Sequence, residues 1–266
     1  MLITRILTAL VLLPVMLGAL FGLGEAGWAA FTLLITLLGL WEWGRMFAYR
    51  PWQHVLLRGT ALALAAWVWL ATPMIGTSLH AGVLALWFVL APLWLARRWV
   101  LKNRLAAAVL GLALLMPTWL AFLDWRPNAD AAWQLLALMA LVWLADTAAY
   151  FSGKAFGRHK LAPAISPGKS WEGVAGAVVA VTLYTLWIRQ SGLFDIEMSL
   201  PCWLLIGWGL TAVSIVGDLL ESWFKRAAGI KDSSQLLPGH GGVLDRIDSL
   251  IAVLSVASAA RYFAGV

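Results

Sequence analysis

Long apolar runs alternate with short polar breaks along the chain, at about residues 6–23, 28–47, 56–75, 81–96, 105–122, 131–150, 171–188, 201–220 and 247–266. Roughly 20 apolar residues in a helix cross ~30 Å of hydrocarbon, so each run is a candidate span, the shorter ones recruiting flanking Trp or Arg. The pattern predicts an all-α fold, a polytopic integral membrane bundle of about nine transmembrane helices. Arg5 ahead of the first run and small residues near Ala26 and Ala29 also fit a secretory signal. Against that, the run exceeds the ~7–15 residues of a signal's apolar region. With no internal repeat and no Pro/Ser-rich linker, residues 1–266 read as one membrane domain. Residues 1–130 offer only hydropathy and read as scaffold; residues 131–266 read as the half that carries function.

Composition narrows the class. Apolar residues make up 62% of the chain and charged residues 12%, against roughly half and a quarter in soluble domains, which excludes a water-soluble globule and a disordered chain. The 18 Trp residues suggest interfacial anchoring. The one cysteine, Cys202, cannot close an intrachain disulfide and reads as a buried thiol.

The net charge of +6 matters less than its distribution. With the N-terminus inside, 16 of the 19 basic residues fall on the inner side: Arg5, Arg45, Arg50, Arg58, Arg97, Arg98, Lys102, Arg104, Lys154, Arg158, Lys160, Lys169, Lys225, Arg226, Lys231 and Arg246. Only Arg126, Arg189 and Arg261 lie outside. The asymmetry predicts an N-in, C-out topology. Two long connections, 151–170 and 222–246, are then cytoplasmic, and both are rich in Gly, Ser, Lys and Asp.

The acids sharpen this picture. Glu42, Asp146, Glu172, Asp218, Glu221, Asp232, Asp245 and Asp248 lie at or beside inner helix ends. A carboxylate at that depth costs a few kcal/mol unless it faces a polar cavity, a partner charge or a metal. Asp218, Glu221, Ser222 and Lys225 share one helical stripe, which permits either a salt-bridged face or an ion site. Asp245, Asp248 and Ser249 form a second stripe. Acids in a first turn also suit the helix dipole, which alone would explain Asp248. Glu42, between Trp41 and Trp43, finds a sequence neighbour in Arg45.

Between the stripes runs KRAAGIKDSSQLLPGHGG, residues 225–242. Lys225, Arg226 and Lys231 bring positive charge, and Gly239, Gly241 and Gly242 let backbone amides approach an anion, a combination suited to a metal-bound polyphosphate. Lys225 is equally well explained as a topogenic charge, and His240, without a second His at ligand spacing, as a hydrogen-bonding loop residue. The other connection ends in SPGKSWEG, with Ser166, Lys169 and Ser170 just before the next span, and reads as a second phosphate-handling loop. Phe156 and Trp171 read as interfacial anchors, and Gly173 and Gly176 as a face for close packing within the bundle.

The run SWFKRAAGIKDSSQLLPGHGGVLDRID, residues 222–248, resembles the signature of the phosphatidate cytidylyltransferases, or CDP-diacylglycerol synthases, and SPGKSWEG is similar to a second segment of that family. The resemblance implies cytidylyl transfer from CTP to phosphatidic acid at a bacterial inner membrane, with the active site on the cytoplasmic side, Mg²⁺ as cofactor with room for a second cation, and a homodimer. No nucleic-acid partner is expected. Carried over residue by residue, Asp218 and Asp245 ligate Mg²⁺, with Asp146, Glu221 and Asp248 as further ligands or supporting acids. Lys225 and Arg226 join Asp218 and Asp245 as catalytic residues. Ser166, Lys169, Ser170, Ser222, Lys231, His240, Gly241, Gly242 and Arg246 contact the substrates. Two rivals are a CTP-using polyprenol kinase, which shares metals and basic loops, and a secondary transporter. The transporter is disfavoured because several spans lack any acid near mid-membrane.

Overall fold

The computed structural model describes residues 2–71 and 76–265, the side chains of residues 2, 3, 5 and 6 excepted. The expected inner charge of Arg5 and the run ends at 75 and 266 therefore lie outside the described residues. The helices are α1 (Leu2–Gly22), α2 (Glu25–Met46), α3 (Pro51–Ala71), α4 (Thr77–Ala85), α5 (Ala91–Arg97), α6 (Arg104–Asp124), α7 (Ala132–Phe156), α8 (Trp171–Ser191), α9 (Leu200–Ala227) and α10 (Leu244–Ala264). A π-helical turn, Leu86–Leu90, joins α4 to α5 in one rod, the predicted fourth span. Among the described residues eight helices are long and apolar enough to cross a membrane, and the apolar stretch Leu7–Gly22 of α1 adds a shorter one. The molecule is a helical membrane bundle, as the apolar runs predict.

Helix ends differ from the apolar runs where polar residues continue the helix. The run 201–220 is observed as Leu200–Ala227, so Lys225 continues the helical stripe and Arg226, read as part of the loop, joins it in the last turn of α9, where cations meet the negative end of the helix dipole. The connection 151–170 is likewise shorter than expected. α7 continues to Phe156, and a small antiparallel hairpin, β1 (Lys160–Ala162) with β2 (Ser166–Ser170), fills the rest. That hairpin corrects the expectation of helices alone.

Packing within α6–α10 is tight because small residues line the crossings. α7 lies along α8, so closely that a Cβ on Gly173 would come 2.8 Å from the Ala149 carbonyl, and one on Gly176 would overlap the Ser152 side chain. The pair does serve packing inside the bundle. At the α9–α10 crossing, a Cβ on Gly217 would meet the Asp248 carbonyl at 2.9 Å.

Tryptophan does more than anchor at interfaces. Trp28, Trp43 and Trp119 are fully or nearly fully buried, and their indole N–H groups donate to the carbonyls of Phe122 (2.9 Å), Ala107 (2.7 Å) and Ala29 (3.2 Å), tying α2 to α6. In hydrocarbon an N–H needs such a partner. α1 joins the same core: Leu20 is buried, and the buried Arg126 donates to the Leu20 (2.7 Å) and Leu23 (2.5 Å) carbonyls that the end of α1 leaves without helical partners. Cys202, expected to be buried, is exposed in the first turn of α9, where the neighbouring Trp203 takes the buried face; the Ser199 hydroxyl donates to its sulfur at 3.3 Å.

Candidate active site

At one end of the bundle α7, the hairpin, α8, α9 and α10 surround a cleft of about 710 Å³. The predicted residues Asp146, Ser166, Lys169, Ser170, Asp218, Lys225, Arg226, Lys231, Asp245, Arg246 and Asp248 line it. Sequence separations from 146 to 248 are thus brought into one polar hollow, as the two acidic stripes and basic loops suggest. Glu221, Ser222, His240, Gly241 and Gly242 do not line it. Four of them touch residues that do: Ser222 meets Asp218, Glu221 meets Lys225, and Gly241 and Gly242 lie against Asp245.

The α9 stripe is a salt-bridged face, one of the two readings its spacing leaves open. Ser222 donates to Asp218 Oδ1 at 3.2 Å. The buried Lys225 ammonium pairs with Glu221 one turn back and with Asp245 Oδ1 on α10 at 2.5 Å. Asp245 Oδ2 accepts from the Ser233 amide, the Ser233 hydroxyl and the Gly242 amide, each at 2.8 Å. The facing stripes are therefore joined through one lysine shared by two carboxylates, a buried cluster with one negative charge in excess.

The glycines act by letting chain pass close to these carboxylates. Pro238 followed by Gly239 at φ +77°, with His240 N–H on the Leu237 carbonyl at 2.8 Å, forms a turn of the type II pattern. Gly241 has φ +82°, and a Cβ there would stand 2.6 Å from Asp245 Oδ2. Gly242 thus lends its amide to Asp245 and Gly241 lets the chain pass beside it, while His240 closes the turn.

On the opposite wall Lys169, carried by β2, pairs with Asp218 Oδ2 at 2.5 Å. Its neighbour Ser170 caps α8 by accepting from the Gly173 amide at 3.2 Å, so its hydroxyl is engaged by the fold. Glu172 accepts from His159 Nδ1 at 2.7 Å and fastens the hairpin's approach. Asp146 lies within electrostatic reach of Asp218, Lys169 and Arg246, and Asp248 within reach of Asp218, Glu221 and Asp146.

Among the described residues no three or more His, Cys, Asp or Glu side chains are arranged as a ready metal-ligand set. The donor chemistry nevertheless fits a hard divalent cation: carboxylates from three helices face one cleft. In both Asp218 and Asp245 one oxygen is already neutralised by a lysine ammonium standing where a cation would.

One residue at this end is positioned quite unlike its sequence expectation. Glu42 does not turn to Arg45, whose guanidinium covers the Trp41 ring at 4.9 Å. It is fully buried and accepts from Ser233, Ser234, Val243 and Leu244. Its one visible signal was an acid inside an apolar run; its partners lie about 200 residues away in sequence.

Compared with known proteins, the Cytidylyltransferase family description matches residues 3–264. A protein of Pseudomonas aeruginosa named phosphatidate cytidylyltransferase is 45% identical over 279 aligned residues, covering 100% of this chain and 98% of its own. Its namesake in Haemophilus influenzae is 36% identical, with 99% of each chain covered. One in Brucella suis is 37% identical, over 95% of this chain and 90% of its own.

Proposed function

We infer the activity from one premise: the chain belongs to the cytidylyltransferase family, alongside the phosphatidate cytidylyltransferases it matches over nearly their full length. It is a nucleotidyltransferase of phospholipid biosynthesis that moves a cytidylyl group from CTP to phosphatidate, giving CDP-diacylglycerol and pyrophosphate. The observation that supports the location of the reaction is the single cleft where acids of α7, α9 and α10 meet cations of the hairpin, α9 and α10.

A phosphate monoester with a second pKa near ~6 is largely dianionic at neutral pH, so an oxygen of phosphatidate attacks the α-phosphorus without a covalent enzyme intermediate. The bond from that phosphorus to the bridging oxygen breaks, and pyrophosphate leaves with its electron pair. The protein's task is to hold two polyanions together. Arg226, Lys231 and Arg246 bind the triphosphate. Ser166 and Lys169 position the lipid phosphate, and Lys225 keeps Glu221 and Asp245 in register. Asp218 and Asp245 would hold Mg²⁺, with Asp146, Glu221 and Asp248 around them; the ion supplies charge neutralisation between the substrates.

The finer architecture belongs to the same proposal: nine spans, N-terminus inside, C-terminus outside, the cleft on the cytoplasmic face of a bacterial inner membrane, and a homodimer. The charge asymmetry supports the orientation. Thr8 of α1 also donates to the Pro238 carbonyl at 2.7 Å, so the N-terminal helix begins on the side of the cleft. Cys202, the single and exposed cysteine, tests it: a membrane-impermeant maleimide applied to the outer face of spheroplasts labels it, and labelling only after lysis refutes the orientation.

The activity itself is tested with CTP labelled at the α-phosphate and phosphatidate in detergent. Lipid-dependent pyrophosphate release with the label in CDP-lipid, abolished by EDTA and restored by Mg²⁺, is the expected result. Free CDP with a phosphorylated alcohol would instead indicate a kinase, and turnover without divalent ions would refute the metal assignment.

A further inference from the structure

The reaction as assigned uses α7, α9, α10, the hairpin and the 228–243 loop, and takes nothing from α2. Yet α2 sends Glu42, 0% exposed, into the base of that loop. Oε1 accepts from the Ser234 hydroxyl at 2.6 Å and the Val243 amide at 2.9 Å; Oε2 accepts from the Ser233 hydroxyl at 3.0 Å and the Leu244 amide at 2.7 Å. α10 has no side-chain cap of its own, since Val243 occupies the cap position. The first amides of a helix need acceptors, above all away from water. Glu42 supplies them from another helix and sets a negative charge against the positive end of the α10 dipole.

The same carboxylate reaches the cleft through one atom. The Ser233 hydroxyl stands 3.0 Å from Glu42 Oε2 and 2.8 Å from Asp245 Oδ2, so its single proton serves one carboxylate at a time and the oxygen links both. Gly242 sits against this junction: a Cβ there would collide with the Ser233 hydroxyl and the Glu42 carboxylate. Beyond Ser233 the line continues through Asp245 to Lys225 and Glu221.

We propose that Glu42 is a positioning residue for cytidylyl transfer. It fixes the 233–244 loop and the first turn of α10, and through Ser233 it sets the Asp245 carboxylate, so that Lys231, Asp245 and Arg246 meet the substrates at one height. The proposal rests on the activity assigned above. A residue that only stabilised the bundle would change the amount of folded protein and leave turnover per folded molecule intact. Displacement of reacting groups by ~1 Å costs up to about 10²-fold in rate, and loss of a carboxylate supporting a metal ligand costs about 10–100-fold.

The test compares Glu42→Gln, Ser233→Ala and the double variant, each purified in detergent and quantified as monodisperse protein. Glu42→Gln is expected to lower kcat about 10–100-fold with KM for CTP changed less than about threefold. Amide exchange should accelerate at 243 and 244 and across the loop, with α6–α8 unaltered. Because both single variants cut the same line, the double should lose no more than Glu42→Gln alone. Turnover per folded molecule within twofold of the parent, unchanged exchange at 243–244, or losses that multiply would each overturn the proposal. If Glu42→Gln does not fold, Ser234→Ala decides: it keeps the carboxylate and removes one donor, and an unchanged kcat with unchanged loop exchange would count against the clamp. A parent chain that releases no pyrophosphate overturns the activity reading, while the exchange comparison still decides whether Glu42 holds the loop.

Discussion

Helices α7, α8, α9 and α10 enclose a cavity at each of their two ends. One is the cleft of about 710 Å³, with Asp146, Lys169, Asp218, Lys225 and Arg246 on its walls. The other, about 150 Å³, is walled by Leu138, Leu141, Ile188, Trp203, Leu210 and Ala257. Its one charged side chain, Arg261, lies over the Trp125 ring at 5.0 Å and donates to the Asp124 carbonyl. The helices and their crossings are the same at both ends, so packing alone does not make a site. What differs is the connection: the apolar end is closed by a loop that packs Phe194 edge-to-face against Trp125 and Trp203, whereas the other end has a hairpin carrying Lys169 and a glycine-rich loop folded onto Asp245. A hollow becomes chemically useful when backbone can pass within hydrogen-bond distance of buried charge.

Exchanging charge at the polar end should break the contrast most severely. Asp218→Asn removes a carboxylate from the stripe and leaves Lys169 without its partner; CDP-diacylglycerol formation should fall by roughly 10²–10³-fold, with insertion and detergent monodispersity unchanged. Near-parental turnover in this variant would detach the cleft from catalysis. Asp245→Asn should act on stability as well, because Lys225 then keeps only Glu221. Breaking a buried pair costs about 3–5 kcal/mol, read as a lower thermal midpoint beside the loss of activity.

A smaller effect is expected at the hairpin. Lys169→Ala removes one ammonium from the phosphate side, and a charge-assisted hydrogen bond worth about 1.5–3 kcal/mol corresponds to roughly 10–100-fold in kcat/KM. Titration of phosphatidate at saturating CTP should show it, and a defect confined to CTP would move Lys169 to the nucleotide. The smallest effect belongs to the apolar end. Ala260→Leu adds bulk to that cavity and should leave turnover within about twofold. A large loss there would show that the two ends are coupled through α10.

Much of the site was legible because charged residues in a hydrophobic chain are few. Asp146, Lys169, Asp218, Lys225, Asp245 and Arg246 were each visible as departures from the apolar pattern, and they meet in one cleft. Roles were less legible than places. Ser170 reads as a phosphate contact, and in the fold its hydroxyl also caps α8. Glu42 looked like the partner of Arg45 because a sequence offers only neighbours at helical spacing, while the groups it holds arrive from the other end of the chain.

Hydropathy and charge thus determined a membrane bundle and the end at which its polar residues gather, since crossing hydrocarbon imposes a length and a composition that each segment must satisfy by itself. Tertiary structure alone decided the pairing: Lys169 on Asp218, Lys225 between Glu221 and Asp245, Glu42 beneath the glycine loop. A buried charge is compensated by whichever donor the packing brings within about 3 Å, and that choice depends on helix crossings that no local stretch of sequence encodes.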